Sequence, residues 1–161
     1  MNTNVLTCRY SIGIVPEKNI MNELKIFLVD DDSFYLNVLK QHLLNLGCEK
    51  LSLYENGVDC LDELTDNVDV IFLDYQMASM TGNEVLLQIK RLDPNIFIIM
   101  LSSQEEIKIA VNALKLGAFD YLKKGDNEPA RIENVLERIM QVKDLMERER
   151  PTLLKAVFQY L

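Results

Sequence analysis

The chain has 161 residues, 48% of them hydrophobic and 26% charged, a composition that suits one globular domain with its own core. Its net charge of −8 argues against general binding to nucleic acid or anionic membranes, because phosphate would be repelled. Three scattered cysteines, Cys8, Cys48 and Cys60, and a lone His42 argue against a tetrahedral zinc site and fit reduced thiols in the cytoplasm.

Residues 1–21 carry no strong periodicity and read as a mobile extension, with an edge strand over Cys8–Val15 as the alternative. Nothing there has the basic start and long apolar core of a secretory leader, and no apolar run in the chain is long enough to cross a membrane. Lys25–Val29 is a short apolar strand. Ser33–Leu46 follows as a helix, with Phe34, Val38, Leu39, His42, Leu43 and Leu46 at helical spacing, Asp32 or Ser33 as N-cap and Gly47 as C-cap. His42 reads as a surface or half-buried structural residue. Leu51–Tyr54 alternates like a strand, and Gly57–Leu64 sets Val58, Leu61 and Leu64 on one helical face. Asp69–Leu73 is a buried strand, and Asn83–Leu92 a helix stopped by Asp93-Pro94. Ile96–Leu101 is apolar throughout, as a central parallel strand should be. Glu105–Leu116 is a helix closed by Gly117, Tyr121–Lys123 a short strand, and Pro129 opens a long last helix.

Five strands alternating with five helices predict an α/β fold: a doubly wound, five-stranded parallel sheet with helices on both faces. Ligands of such sheets bind at the carboxyl ends of the strands. Asp30 and Asp31 follow the first strand and Asp74 the third. With those strands as neighbours, three carboxylates converge, a costly cluster unless a cation neutralises it or some acids protonate. Oxygen ligands without His or Cys suit magnesium. Ser102 after the fourth strand offers a hydroxyl, and Lys123 and Lys124 after the fifth offer ammonium groups. Together these make a site for phosphoryl chemistry in which a carboxylate can be the nucleophile.

The pieces "IFLVDDD", "VIFLDYQMASMTG", "IIMLSS" and "GAFDYLKK" fall in order over about residues 24–146, and the chain resembles a response-regulator receiver domain of two-component signalling. The resemblance implies a flavodoxin-like strand order 2-1-3-4-5. It also implies Asp74 as phosphoacceptor, Asp31 as direct magnesium ligand, Asp30 as a second acid holding the metal, and the backbone carbonyl of Gln76 as a further ligand. Ser102 would hydrogen-bond the phosphoryl group, and Tyr121 would be the aromatic switch residue. Lys124 matches the family's lysine better than Lys123 does. Gln76 and Gln104 stand where the family tunes hydrolysis of the acyl phosphate, and Asp32 reads as a helix N-cap. The implied partner is a histidine kinase or a His-containing phosphotransfer protein, and the switched surface is the fourth helix, fifth strand and fifth helix.

Three positions depart from the family pattern. Ala78 and Gly125 stand where proline is usual, and Thr81 where an acid is common, so the loop after Lys124 is expected to differ. Ile132, Val135, Ile139, Val142 and Met146 repeat at coiled-coil spacing, and the last helix is expected to stop before Pro151. The organisation expected is thus an extension over 1–21, a receiver over 22–146 and a tail over 147–161. In that tail 152–161 would form a short apolar-striped helix joining two copies, or docking on a partner, or folding back. No DNA-binding or catalytic domain follows, which reads as a stand-alone receiver, although a chain cut from a longer regulator would look the same. Two rival readings are a pseudo-receiver that binds without being phosphorylated, and a haloacid-dehalogenase-type phosphatase. The phosphatase would use Asp30 and Asp32 as its Asp-x-Asp pair, with Asp30 as nucleophile and Asp126 as a weak downstream acid.

Overall fold

The computed structural model describes residues 20–64, 67–104, 106–125 and 127–158, with side-chain burial described from residue 21 to 148. Its strands are β1 (Lys25–Val29), β2 (Lys50–Tyr54), β3 (Val70–Asp74), β4 (Phe97–Ser102) and β5 (Asp120–Lys123). Between and after them run α1 (Ser33–Asn45), α2 (Gly57–Asp62), α3 (Gly82–Leu92), α4 (Ile107–Lys115) and α5 (Glu128–Phe158). All strand pairs are parallel, in the order β2-β1-β3-β4-β5. The doubly wound parallel sheet expected from the alternation is formed, in the flavodoxin-like order that the resemblance implies.

Alternate residues of each strand feed opposite faces, as the pleat requires. Ile26 and Leu28 of β1 meet Leu36, Leu39 and Leu43 of α1 and Ile132, Val135, Leu136 and Ile139 of α5. Phe27 and Val29 join Cys60 of α2, Val85, Leu86 and Ile89 of α3 and Ala113 of α4 on the other face. Register sets the site. Val29 pairs with Leu73, so Asp30 leaves β1 level with Asp74, and Asp74 pairs with Leu101 just before Ser102.

Several helical faces differ from the sequence expectation. Phe34 is 77% exposed, and Leu36 takes its place in the core. In α2 the buried positions are Gly57 and Cys60, while Val58 is exposed. Ile132, Val135 and Ile139, read as the first half of a coiled-coil seam, are core residues packed on the chain's own sheet, and only Met146 of that set is exposed. The last helix does not stop before Pro151 but continues to Phe158. Proline forfeits one N–H bond and crowds the preceding turn, a cost that its strong helix-forming neighbours, Glu, Arg, Leu, Lys and Ala, help to offset. Residues 1–19, with the Cys8–Val15 alternative, and the apolar stripe of 152–161 lie outside what is described. His42 is half-buried, its Nδ1 without a hydrogen-bond partner. Among the described residues no helix is long and apolar enough to cross a membrane.

Burial pushes the Cys48 thiol up to about 11 and the Cys60 thiol up to about 12. A thiolate reagent at pH 8 should therefore leave both intact in the folded protein and modify both once denaturant is added. Peptide mapping of the alkylated protein checks this, and fast labelling of Cys60 without denaturant would contradict the packing of α2.

Candidate functional site

The acids occupy the carboxyl edge of the sheet because β1 and β3 end side by side. Carboxylate oxygens of Asp30, Asp31 and Asp74 lie within 4.8 Å of one another. Asp30 and Asp74 are buried, while Asp31 is exposed at the mouth. Each is held by backbone donors. Asp30 accepts from Asp32 N at 3.0 Å, Asp74 from Gln76 N at 2.9 Å, and Asp31 from Ala78 N at 3.1 Å. The Ala78 amide is a donor that a proline at that position would lack.

Lys124 closes the cluster. Its Nζ sits 2.5 Å from Asp30 and 2.7 Å from Asp74. Its backbone N–H donates to Ser102 O at 2.9 Å, so β4 and β5 deliver the hydroxyl and the ammonium together. Burial raises the Asp74 carboxyl above the ordinary carboxylate range, and Asp30 adds to the rise against the lowering by Lys124. Burial alone would lower Lys124, but its two carboxylates outweigh burial and the net direction is up. The ammonium is therefore a fixed positive charge between two acids.

Around this centre Ser102 is buried, and its Oγ accepts from Gln104 N at 3.1 Å. The Tyr121 hydroxyl donates to Gln104 O at 2.8 Å, pointing to the loop after β4. Gln76 and Gln104 are both exposed, two residues beyond Asp74 and Ser102 respectively. Asp32 caps α1, accepting from Phe34 N at 2.9 Å and Tyr35 N at 3.1 Å, so its carboxyl serves the helix. Lys123 lies on β5, and it is Lys124 whose ammonium meets the acids. Asp126 lies outside the described residues. Thr81 caps α3 in a reciprocal box with Glu84.

The donor set fits a magnesium ion: three carboxylates on one side, no nitrogen or sulfur ligand, and one acid open to water. The loop after Lys124 departs from a Lys-Pro turn. Gly125 has φ +116°, outside the range of proline, a Cβ there would meet nothing within 4 Å, and no described peptide bond is cis. Two residues near the site carry no signal in the sequence. Tyr35, in the first turn of α1, hydrogen-bonds Glu128, the first residue of α5, across 93 residues of chain, and its ring centroid lies 4.2 Å from Lys124 Nζ.

The model of the response regulator receiver domain matches residues 26–137. The chain belongs to the response regulator receiver family. The transcriptional regulatory protein ZraR of Escherichia coli K12 is 34% identical over 119 residues, 71% of this chain and 27% of that protein. The chain thus spans about a quarter of the length of that curated relative. A receiver domain protein of Clostridium thermocellum superposes with a TM-score of 0.69 at 26% identity, covering 76% of this chain and 98% of that one. The beryllofluoride-activated receiver domain of DrrB, from Thermotoga maritima, gives 0.65 at 28% identity, covering 73% and 97%. The receiver is accordingly a module of two-component signalling rather than a dedicated catalytic family.

Proposed function

We propose that this receiver accepts a phosphoryl group on Asp74 from a phosphohistidine of a histidine kinase or His-phosphotransfer protein. The observation that carries the reading is the buried Asp74 held 2.7 Å from Lys124, with Asp30 and Asp31 beside it. An Asp74 oxygen attacks phosphorus in line, the bond from phosphorus to the histidine nitrogen breaks, and the nitrogen leaves with the electron pair. Asp31, Asp30, Asp74 and the Gln76 carbonyl would hold magnesium, which when bound supplies charge neutralisation at the phosphoryl oxygens. Lys124 exchanges a carboxylate partner for a phosphoryl oxygen, and the Ser102 hydroxyl donates to another. The new group adds about −1.5 to −2 charge. Tyr121 then leaves Gln104 and turns inward as Ser102 moves, and Gln76 and Gln104 tune the later hydrolysis.

The surface this reshapes is α4, β5 and α5. Ile107, Val111 and Leu114 of α4 form an exposed apolar row there, at helical spacing, suited to a protein partner. The tail over 147–161 would join two copies or contact such a partner, and the acidic chain as a whole fits a cytoplasmic signalling protein.

Magnesium with beryllofluoride, a mimic of the phosphoryl group, tests the site without turnover. The melting temperature of the wild type should rise more with both than with magnesium alone, by mass action on the folded state. Asp74→Asn should show no added rise, and Asp31→Asn should lose most of the magnesium effect. An equal rise in Asp74→Asn would place the acceptor elsewhere, and no rise in the wild type would favour a receiver that binds partners without phosphorylation.

A further inference from the structure

We propose that Tyr35 and Glu128 form a positioning pair that fixes the Lys124 ammonium between Asp30 and Asp74. The inference rests on the reading of Lys124 as the cation that receives the phosphoryl group.

Glu128 is only 6% exposed although it opens a helix on the surface of the fold. A carboxyl buried to that degree is costly unless its oxygens are hydrogen-bonded. One oxygen accepts from the Tyr35 hydroxyl, and the other from Gly125 N at 3.2 Å. Glu128 N donates in return to Gly125 O at 3.1 Å. Glu128 therefore holds, through Gly125, the turn that follows the lysine, and through Tyr35 the ring against which the lysine lies. The ring meets the ammonium 4.2 Å from its centroid, a cation–π distance. Burial, with Glu128 adding to it, pushes the Tyr35 hydroxyl well above its ordinary range, so the group stays a donor. The contacts close a circuit: the Lys124–Gly125 backbone, Glu128, Tyr35 and back to the Lys124 side chain. A turn built on a glycine at φ +116° has little stiffness of its own, and this circuit supplies it.

Tyr35→Phe keeps the ring and deletes only the hydroxyl. With magnesium saturating, its phosphorylation by acetyl phosphate should slow about tenfold, the worth of one hydrogen bond to a charged group. Its magnesium affinity should stay within about twofold of wild type, because none of the oxygen ligands is touched. In a Lys124→Ala background the same change should slow the reaction no further, since a positioning residue has nothing left to position. The Lys124 ammonium resonance of the metal-free protein supplies a readout independent of turnover, and it should shift and exchange faster in Tyr35→Phe. Glu128→Gln, should Tyr35→Phe fold poorly, should move rate and resonance in the same directions. A wild-type rate in Tyr35→Phe, an equal slowing on the Lys124→Ala background, or an unmoved ammonium signal would each overturn the pair's role. Failure of the wild type to accept a phosphoryl group at all would instead overturn the reading of the site, and the ammonium signal would still decide the pair.

Discussion

Replacing Lys124 by alanine should cost the protein both its stability without metal and its reaction. The ammonium lies between Asp30 and Asp74, whose side chains are only 2% and 6% exposed. Removing one partner of a buried ion pair leaves uncompensated charge and costs about 3–5 kcal/mol. The lysine side chain is itself 15% exposed, so the lower end of that range is expected. Magnesium should return most of this loss, because it can neutralise the same acids from the Asp31 side. It should not return the reaction. Loss of one preorganised donor at a developing charge slows chemistry by about 10²- to 10³-fold, and phosphoryl uptake should fall by that amount even in saturating magnesium. Thermal melts with and without magnesium, paired with uptake rates, check the two effects separately. A variant that recovers its rate with magnesium would show that Lys124 is only a structural counter-charge.

Gly82→Ala should be the most damaging single methyl group near the site. A Cβ at Gly82 would stand 2.3 Å from the backbone oxygen of Asp74, 2.9 Å from Tyr75 Cα and 2.7 Å from Met100 Cε. Two of those atoms are backbone at the end of β3, and the Gly82 N–H bond to Tyr75 O, 2.9 Å, draws the segments together. Neither side can yield without moving the residue that carries the acceptor. Overpacking of this kind costs about 1–3 kcal/mol, a fall of roughly 2–12 °C in melting temperature for a chain of this size. Gly57→Ala is the control. Its Cβ would meet Val85 Cγ2 at 2.4 Å, a side-chain atom of α3 rather than backbone of the acceptor strand, so relief there leaves Asp74 in place and the loss should be smaller. Equal melting temperatures for the two variants would contradict the close approach of α3 to β3.

Much of this architecture was legible before any coordinate. Apolar runs ending in acid, hydroxyl or lysine mark strand ends, and parallel topology gathers those ends on one edge. Hence Asp30, Asp31, Asp74, Ser102 and the Lys123–Lys124 pair could be read as a group, and the choice of Lys124 came from the family resemblance. Helical phase was less legible. Residues 34, 35, 36, 38 and 39 are all apolar or aromatic, so spacing alone does not decide that Leu36 rather than Phe34 faces the sheet. The row of Ile132, Val135 and Ile139 has the same three-and-four spacing whether it meets a second helix or the chain's own sheet. The Tyr35–Glu128 contact joins residues 93 apart and leaves no local pattern. Gly125 announced a changed turn, but only its φ of +116° shows that backbone geometry, not space, calls for glycine.

The most direct test is intact mass after incubation with a small acyl-phosphate donor, with and without magnesium, for the wild type and Asp74→Asn. The account predicts a magnesium-dependent gain of one phosphoryl group in the wild type and none in the variant. A gain that survives Asp74→Asn, or no gain in a folded, magnesium-binding wild type, would contradict it.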